Sequence, residues 1–346
     1  MKYKGLITLL IVLLLFNLTS CEKEKTVIED DGIIKIGFIS ETFTVERWKV
    51  DRDIFVAKAK ELGAEVIVQN AYENTDRQIK IARDMIEQGV DALVIIAYEK
   101  DALSEVVKYA HDNNVLVIAY DRLMLNANVD LYISFDNYEV GNLMAETITA
   151  VKPEGNYLVL NGAKTDNNAY IFRDGYINFL TKEEKINIVE ETWIEAWRDE
   201  VAYNFVTEYL KEGKPVDAII AANDRVADGA IRALSEYQLA GEIPVTGQDA
   251  ELAACRRIVE GTQLMTVYKP ISVLATGAAE AAVNMVKGKK LKNYSIISDG
   301  TYDIKYVEYT PIAVTIDNMA TTIIEDGVYT IEQVYKNIPV ENWPKQ

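Results

Sequence analysis

Charged and amide side chains stand directly after several apolar runs in this 346-residue sequence. The run VLVIA, residues 115–119, leads within two residues into Asp121 and Arg122. Comparable positions carry the short motifs FTVERW, TDNNA, WIEAW, NDR, GQD and YKP. Carboxylates accept hydrogen bonds, arginine and lysine donate them, and asparagine does both. Such a set suits a ligand rich in hydroxyl groups, because each hydroxyl both donates and accepts.

Aromatic residues occur in the same motifs and extend this interpretation. A ring such as Trp48 or Trp197 can cover the apolar C–H face of a pyranose, while polar groups at the ring edge fix its orientation. Each motif alone is weak, since Asp and Asn at strand ends are common turn and cap residues. Taken together they predict a site for a neutral, polyhydroxylated ligand.

A catalytic function for the same residues has less support. No motif in the sequence identifies two carboxylates as the general acid and the nucleophile of a glycosidase. A P-loop and the GxGxxG phosphate turn are both absent from the sequence. The single histidine, His111, makes a His-based metal site or a Ser-His-Asp triad improbable, and it fits a solvated or capping position near a helix end. We therefore predict binding without catalysis, metal or cofactor.

Strand-length apolar runs alternate with segments of helical period from Ile33 onward. The strand segments are IIKIGFIS, EVIVQNA, ALVIIAY, VLVIAYD and LYISFD. Because these runs are apolar without alternation, we expect parallel strands that are covered by helices on both faces. In such sheets ligands bind beyond the carboxyl ends of the strands, where the polar motifs stand.

A second α/β series begins after the helical segment EVGNLMAETITAV. Its predicted strands are NYLVLNG, INIVEETW, DAIIAAND, IPVTGQD and LMTVYKP. The Ala-rich segment 271–286 follows Pro270, predicts a helix, and could return to the first lobe. Beyond Lys290, the segments YSIISDG, VEYTPIAVT and GVYTIEQVY are interpreted as short strands or extended chain.

The N-terminus has the pattern of an export signal, and the composition limits the partners. Two lysines precede an apolar run that ends in LTSC, which predicts a lipoprotein signal peptide at 1–20 and lipidation at Cys21. The charged stretch 21–32 is interpreted as a flexible tether. A formal net charge of −18 argues against nucleic acid as a partner.

Several longer motifs resemble the D-xylose-binding protein family, the substrate-binding components of carbohydrate ABC importers. They are VERWKVDRDIF, VIAYDR, YISFDN, DNNA, GQDAELA and GTQLMTVYKPI, and the resemblance covers about residues 34–287. It implies a periplasmic-binding-protein type I fold, an α/β architecture of two Rossmann-like lobes with parallel sheets joined by a three-segment hinge. The N-terminal lobe would comprise 33–140 plus 271–303, and the C-terminal lobe 141–270 plus 304–346. Its hinges would lie near 138–142, 269–272 and 302–306.

Carried over position by position, the resemblance implies a set of sugar contacts. They are Arg47, Trp48, Asp121, Arg122, Asn168, Trp197, Asn223, Asp249 and Lys269. Asn167 ranks below its neighbour Asn168. The loop before Trp197 looks shorter than is typical of the family, which leaves Trp193 as an alternative.

The resemblance implies a protein that binds a monosaccharide, D-xylose or a related pentose, and delivers it to an ABC permease. With the predicted lipidation at Cys21, we expect a membrane-anchored lipoprotein in the periplasm or at the cell surface. We expect a monomer. Presentation of the closed lobes to a sensor kinase or chemoreceptor is the alternative, because the binding lobes alone do not separate the two partners. A sugar-responsive repressor of the same fold would need a DNA-binding motif where this chain has an export signal.

Overall fold

The computed structural model describes residues 32–344. The predicted signal peptide 1–20, Cys21 and the tether up to residue 31 lie outside the described residues. The strands are β1 Ile34–Ser40, β2 Ala64–Asn70, β3 Ala92–Ile95, β4 Leu116–Tyr120, β5 Leu131–Phe135, β6 Gly155–Asn161, β7 Ile186–Trp193, β8 Ala218–Ala221, β9 Thr266–Tyr268, β10 Ser295–Ser298, β11 Asp303–Tyr309 and β12 Ile312–Val314.

The helices follow the predicted alternation with the strands. They are α1 Glu46–Glu61, α2 Thr75–Glu87, α3 Ser104–Asp112, α4 Asn137–Val151, α5 Asn167–Leu180, α6 Asp199–Lys211, α7 Asp224–Glu236, α8 Leu252–Val259, α9 Ile271–Val286 and α10 Ile331–Val334. No helix between residues 32 and 344 is long and apolar enough to cross a membrane.

The first lobe is built on a seven-stranded sheet in the order β10-β11-β5-β4-β3-β1-β2. All neighbouring pairs are parallel except β10 and β11. Separate apolar cores cover its two faces, which explains the unbroken apolar runs in the sequence. Helix α9 packs its Leu274 and Ala278 into one of these cores, so the chain does return to the first lobe after Pro270, as predicted.

The second lobe holds a parallel sheet in the order β7-β6-β8 and an antiparallel pair, β9 and β12. The predicted strand 243–249 is wrong as a regular strand. Val245 forms an isolated bridge with Ile219, and Gln248 forms one with Val267. Asp249 then turns into a left-handed conformation with φ 93°, which ends any ladder.

The structure moves the third predicted crossing between the lobes. Strand β11 pairs with β5 from Tyr306 to Tyr309, so residues 304–309 belong to the first lobe and not to the second. The chain then passes to β12, which pairs with β9 in the second lobe. A boundary at 303/304 and a hinge at 302–306 are therefore several residues too early.

The C-terminal tail also differs from its predicted extended form. The segment 327–335 contains the short helix α10, because Thr330 and Gln333 form a reciprocal capping box at its start. Ile331, Val334 and Tyr335 pack with Cys255 of α8 in a small core of the second lobe. The tail thus covers the outer side of α8.

Candidate functional site

A cavity lies between the two lobes, and all nine predicted contact residues line it. Arg47 and Trp48 come from the start of α1, while Asp121 and Arg122 directly follow β4. Asn168, Trp197, Asn223, Asp249 and Lys269 line the other side. Parallel strands end at a common edge of their sheet, and this is how residues distant in sequence meet.

Arg47 is the centre of one network of buried charges. Its guanidinium donates to Asp121 of the first lobe and, over 3.2 Å, to Asp249 of the second. Asp51, one turn further along α1, lies 3.5 Å from Arg47 Nε. The ammonium of Lys269 lies 2.8 Å from Asp249. One arginine therefore connects carboxylates of both lobes.

Arg122 is the centre of a second network on the same cavity. Its Nη2 lies 2.8 Å from Glu41 of the first lobe, and its Nε lies 2.8 Å from Asp166 of the second. The other oxygen of Asp166 accepts from the backbone N–H of Asn168 and so caps α5. Trp48 Nε1 donates to Glu41 over 3.1 Å. This network also crosses between the lobes.

Burial and charge pairing act in opposite directions on these groups. Burial works against the charged form of Arg47, yet Asp121, Asp51 and Asp249 raise the pKa of Arg47. Burial raises the pKa of Asp51 to about 6, although Arg47 lowers it. For Asp249, burial is outweighed by Lys269 and Arg47, which hold the pKa of this carboxyl below its usual value.

The carboxylates around Arg122 behave differently. Burial raises the pKa of Glu41 and of Asp166 against the opposing effect of Arg122. The pKa of Arg122 is itself raised, because Asp166 and Glu41 outweigh burial. Both arginines thus stay charged, and burial makes Asp51, Glu41 and Asp166 easier to protonate by raising the pKa of each carboxyl.

The two asparagines are placed by helix starts. Asn168 Nδ2 donates to the backbone carbonyl of Asp121 over 3.0 Å, across the lobes. Asn223 caps α7, because its Oδ1 accepts from the Val226 N–H over 2.9 Å. No described residue accepts a hydrogen bond from its Nδ2, and Asn223 lines the cavity. Asn167 does not line the cavity.

Two aromatic rings lie at the second-lobe side of the cavity. Trp197 lines it and meets Phe172 edge-on at 6.4 Å between ring centroids. A β-carbon at Gly162 would lie 2.0 Å from Trp197 Cη2, so only glycine lets the indole occupy this place. Trp193, the alternative, packs against Tyr170 in a tilted arrangement with 4.6 Å between the ring centroids, and it does not line the cavity.

The environment of Trp48 differs from that expected for a ring that covers the face of a sugar. It is almost fully buried, and the Arg47 guanidinium lies over its ring at 4.5 Å. With its Nε1 bound to Glu41, Trp48 supports both arginines as much as it lines the cavity.

Three of the predicted contact residues have left-handed backbone. Asp121 has φ 63°, Trp197 φ 57° and Asp249 φ 93°, conformations that are uncommon outside glycine. Strained residues of this kind cluster at functional sites, where the surrounding structure holds them. The Asp249 turn is held by its N–H bond to the Val267 carbonyl and by the Asp224 carboxylate, which accepts from the Glu251 N–H.

The residues of the wall or its support that sequence reasoning missed include Glu41, Asp51, Asp166, Phe172 and Gln248. Four of them follow a rule that the sequence offers. Glu41 directly follows β1, and Asp166 precedes the DNN asparagines. Asp51 and Phe172 stand four residues after Arg47 and Asn168 on their helices, which places each pair on one face. Within residues 32–344 no group of three or more His, Cys, Asp or Glu could hold a metal ion.

Comparison with known proteins places this site in context. A family model described as a periplasmic binding protein domain matches residues 36–290. The D-xylose-binding periplasmic proteins of Haemophilus influenzae and Escherichia coli K12 are each 42% identical to this chain, over 97% and 95% of it and 100% and 98% of the relatives. An ABC transporter solute binding protein from Clostridium phytofermentans, solved with bound β-D-glucose, has a TM-score of 0.80 at 26% identity and covers 87% of this chain and 99% of its own.

Proposed function

This chain belongs to the periplasmic binding protein family, and from that premise we propose that it binds D-xylose in the cavity between its lobes. It is a periplasmic sugar-binding protein of the ABC-transporter class. The observation that carries the proposal is the convergence of all nine predicted contact residues on one inter-lobe cavity. We assign the sugar contacts to these nine residues.

The wall composition supports a neutral ligand. Six carboxylates line the cavity against four cationic side chains: Glu41, Glu73, Asp121, Asp166, Asp249 and Glu251 against Arg47, Arg122, Arg225 and Lys269. An anionic sugar would add negative charge to a cavity in which carboxylates already outnumber cationic side chains. Neutral hydroxyls can hydrogen-bond to both the carboxylates and the cationic groups. D-Xylose as the particular sugar rests on the two relatives with 42% identity.

Binding would favour closure of the lobes without any bond chemistry. Arg47 and Arg122 each pair with a carboxylate of the other lobe, so a sugar held between the lobes completes contacts that exist only when the lobes meet. A ligand that bonds to both lobes stabilises the closed state by its differential affinity. An ABC permease would then recognise the closed pair.

A thermal-shift panel tests the ligand class. D-Xylose at about 100 times its Kd should stabilise the chain by about 2.7 kcal/mol, and D-xylonate, which has the same carbon skeleton with a carboxylate, should give no shift. D-Ribose, L-arabinose and D-glucose test the choice of sugar. The absence of a shift with every neutral sugar would contradict the proposal.

We further propose that the mature chain is anchored by lipid at Cys21 and acts as a monomer. Mass spectrometry of the protein isolated from membranes should show a diacylated N-terminal cysteine. Cys21→Ser is the matched control and should release the protein into the soluble fraction with unchanged sugar affinity. An unmodified, soluble wild-type chain would contradict the anchor and leave the sugar site untouched.

A further inference from the structure

Six buried side-chain polar atoms of the described residues lack a hydrogen-bond partner. Two of them, Arg47 Nε and Asp51 Oδ2, form an ion pair with each other at 3.5 Å. Two more belong to Thr75 and Thr207, which do not line the inter-lobe cavity. The remaining two are Gln248 Oε1 and Trp197 Nε1, and both residues line the cavity from the second lobe.

The backbone of Gln248 is held firmly while its side chain bonds to nothing. Its carbonyl accepts from the Asp224 N–H over 3.0 Å, and both flanking residues bond to Val267. The residue is 2% exposed, and no other described residue forms a hydrogen bond with its side-chain amide. A buried amide without a partner costs free energy, and native proteins contain few such groups.

Trp197 Nε1 is an independent second observation. The indole is held against Gly162 by close approach, which fixes the direction of its N–H. One side of the cavity therefore carries an acceptor and a donor that the protein itself leaves unused. A ligand with hydroxyls can satisfy both.

We propose that Gln248 is a further sugar-contacting residue whose side-chain amide hydrogen-bonds a ligand hydroxyl. This inference rests on the proposed sugar-binding function and adds a specificity contact to it. Arg47 and Asp249 already have protein partners, so a sugar hydroxyl that bonds to either residue competes with an existing ion pair. At Gln248 the ligand supplies the only partner, and the whole hydrogen bond counts toward affinity.

The test separates binding from folding by calorimetry with D-xylose and by the unfolding temperature without sugar. Gln248→Met keeps the length and burial of the side chain but removes the amide. It should raise Kd about tenfold and leave the unfolding temperature equal or higher, because an unsatisfied group is removed. Gln248→Asn keeps the amide on a shorter side chain and should also raise Kd.

Thr75→Val is the matched control, since it removes an unpartnered buried hydroxyl away from the cavity and should leave Kd unchanged. Wild-type affinity in Gln248→Met would overturn the inference alone. So would a fall in unfolding temperature that parallels the affinity loss in both variants, because Gln248 would then be structural. An absence of binding heat with the wild-type chain would overturn the proposed function and this inference together.

Discussion

The two walls of the cavity are built from different chemistry. Both arginines of the first-lobe wall have ion-pair partners within that lobe: Arg47 pairs with Asp51 and Asp121, and Arg122 with Glu41. In the second-lobe wall Asp249 pairs with Lys269 of the same lobe, whereas Gln248 Oε1 and Trp197 Nε1 have no partner among the described residues. Asp166 and Asn168 bond to the first lobe.

This difference indicates which part of the site is formed in the absence of ligand and which part depends on closure of the lobes. The charged residues of the first wall have partners in their own lobe, so part of their geometry does not require the other lobe. In the second wall the Asp249–Lys269 pair is also local, whereas Asp166 and Asn168 have their partners in the first lobe. Substitutions in the two walls should therefore separate stability from affinity.

The largest expected effect comes from the carboxylates at Arg47. Asp121→Asn and Asp249→Asn should each raise the Kd for D-xylose on the order of a hundredfold, because each leaves a buried cation short of a partner. Asparagine is the right replacement, since both positions have left-handed backbone and Asn tolerates it. Calorimetry measures the affinity.

The same two variants should differ in stability. The Asp121 carboxylate is 5% exposed and that of Asp249 is 17% exposed. Asp121→Asn should lower the unfolding temperature more, because it breaks the wall that is built within one lobe. Equal destabilisation would contradict the contrast between the walls, and wild-type affinity in both variants would contradict the site assignment.

The next largest effect is on the stability of the first lobe, at a residue that does not line the cavity. Buried Asp299 accepts from the backbone N–H groups of Ala127, Asn128, Thr301 and Tyr302. Asp299→Ala should lower the free energy of unfolding by about 2 kcal/mol, because it leaves these donors without an acceptor. The Kd for D-xylose should stay unchanged, which makes this variant the stability control for Asp121→Asn.

Protonation of Asp299 at low pH should also lower the free energy of unfolding, as Asp299→Ala does. Although burial opposes it, these four N–H groups hold the pKa of Asp299 below its usual value. A depressed pKa gives stability that is full above the unfolded pKa of about 3.9 and is lost as pH falls through the folded value. Acid unfolding should thus be shallower in Asp299→Ala than in the wild type, and parallel curves would contradict this role.

The smallest effect tests the second wall. Trp197→Leu should raise the Kd by up to about tenfold, the range of an aromatic contact. Trp193→Leu should change it less than about twofold, because Trp193 packs against Tyr170 and does not line the cavity. Tryptophan fluorescence quenching by D-xylose should disappear in the first variant only. The reverse result would assign the platform to Trp193.

The parts predicted best are those that local patterns determine. Apolar runs placed the strands of both sheets, and the run 271–286 placed α9 to the residue. The family resemblance named nine contact residues, and all of them line one cavity. The tail was interpreted wrongly at 327–335, although the spacing of Thr330 and Gln333 is the capping-box signal.

Other features have no local signal. The left-handed turn at Asp249 depends on Asp224, Thr266 and Val267, which hold its backbone from other elements. Gln248 in a strand-like run is indistinguishable from a paired strand residue until the tertiary structure shows that its amide has no partner. Long-range partners of this kind are set by packing and not by the neighbouring sequence.

One titration tests the central claim most directly. Isothermal calorimetry of D-xylose into the purified chain should give saturable binding of one sugar per chain, and the Asp121→Asn and Asp249→Asn variants should weaken it on the order of a hundredfold. No saturable heat with D-xylose or any other neutral monosaccharide would contradict a sugar site between these lobes.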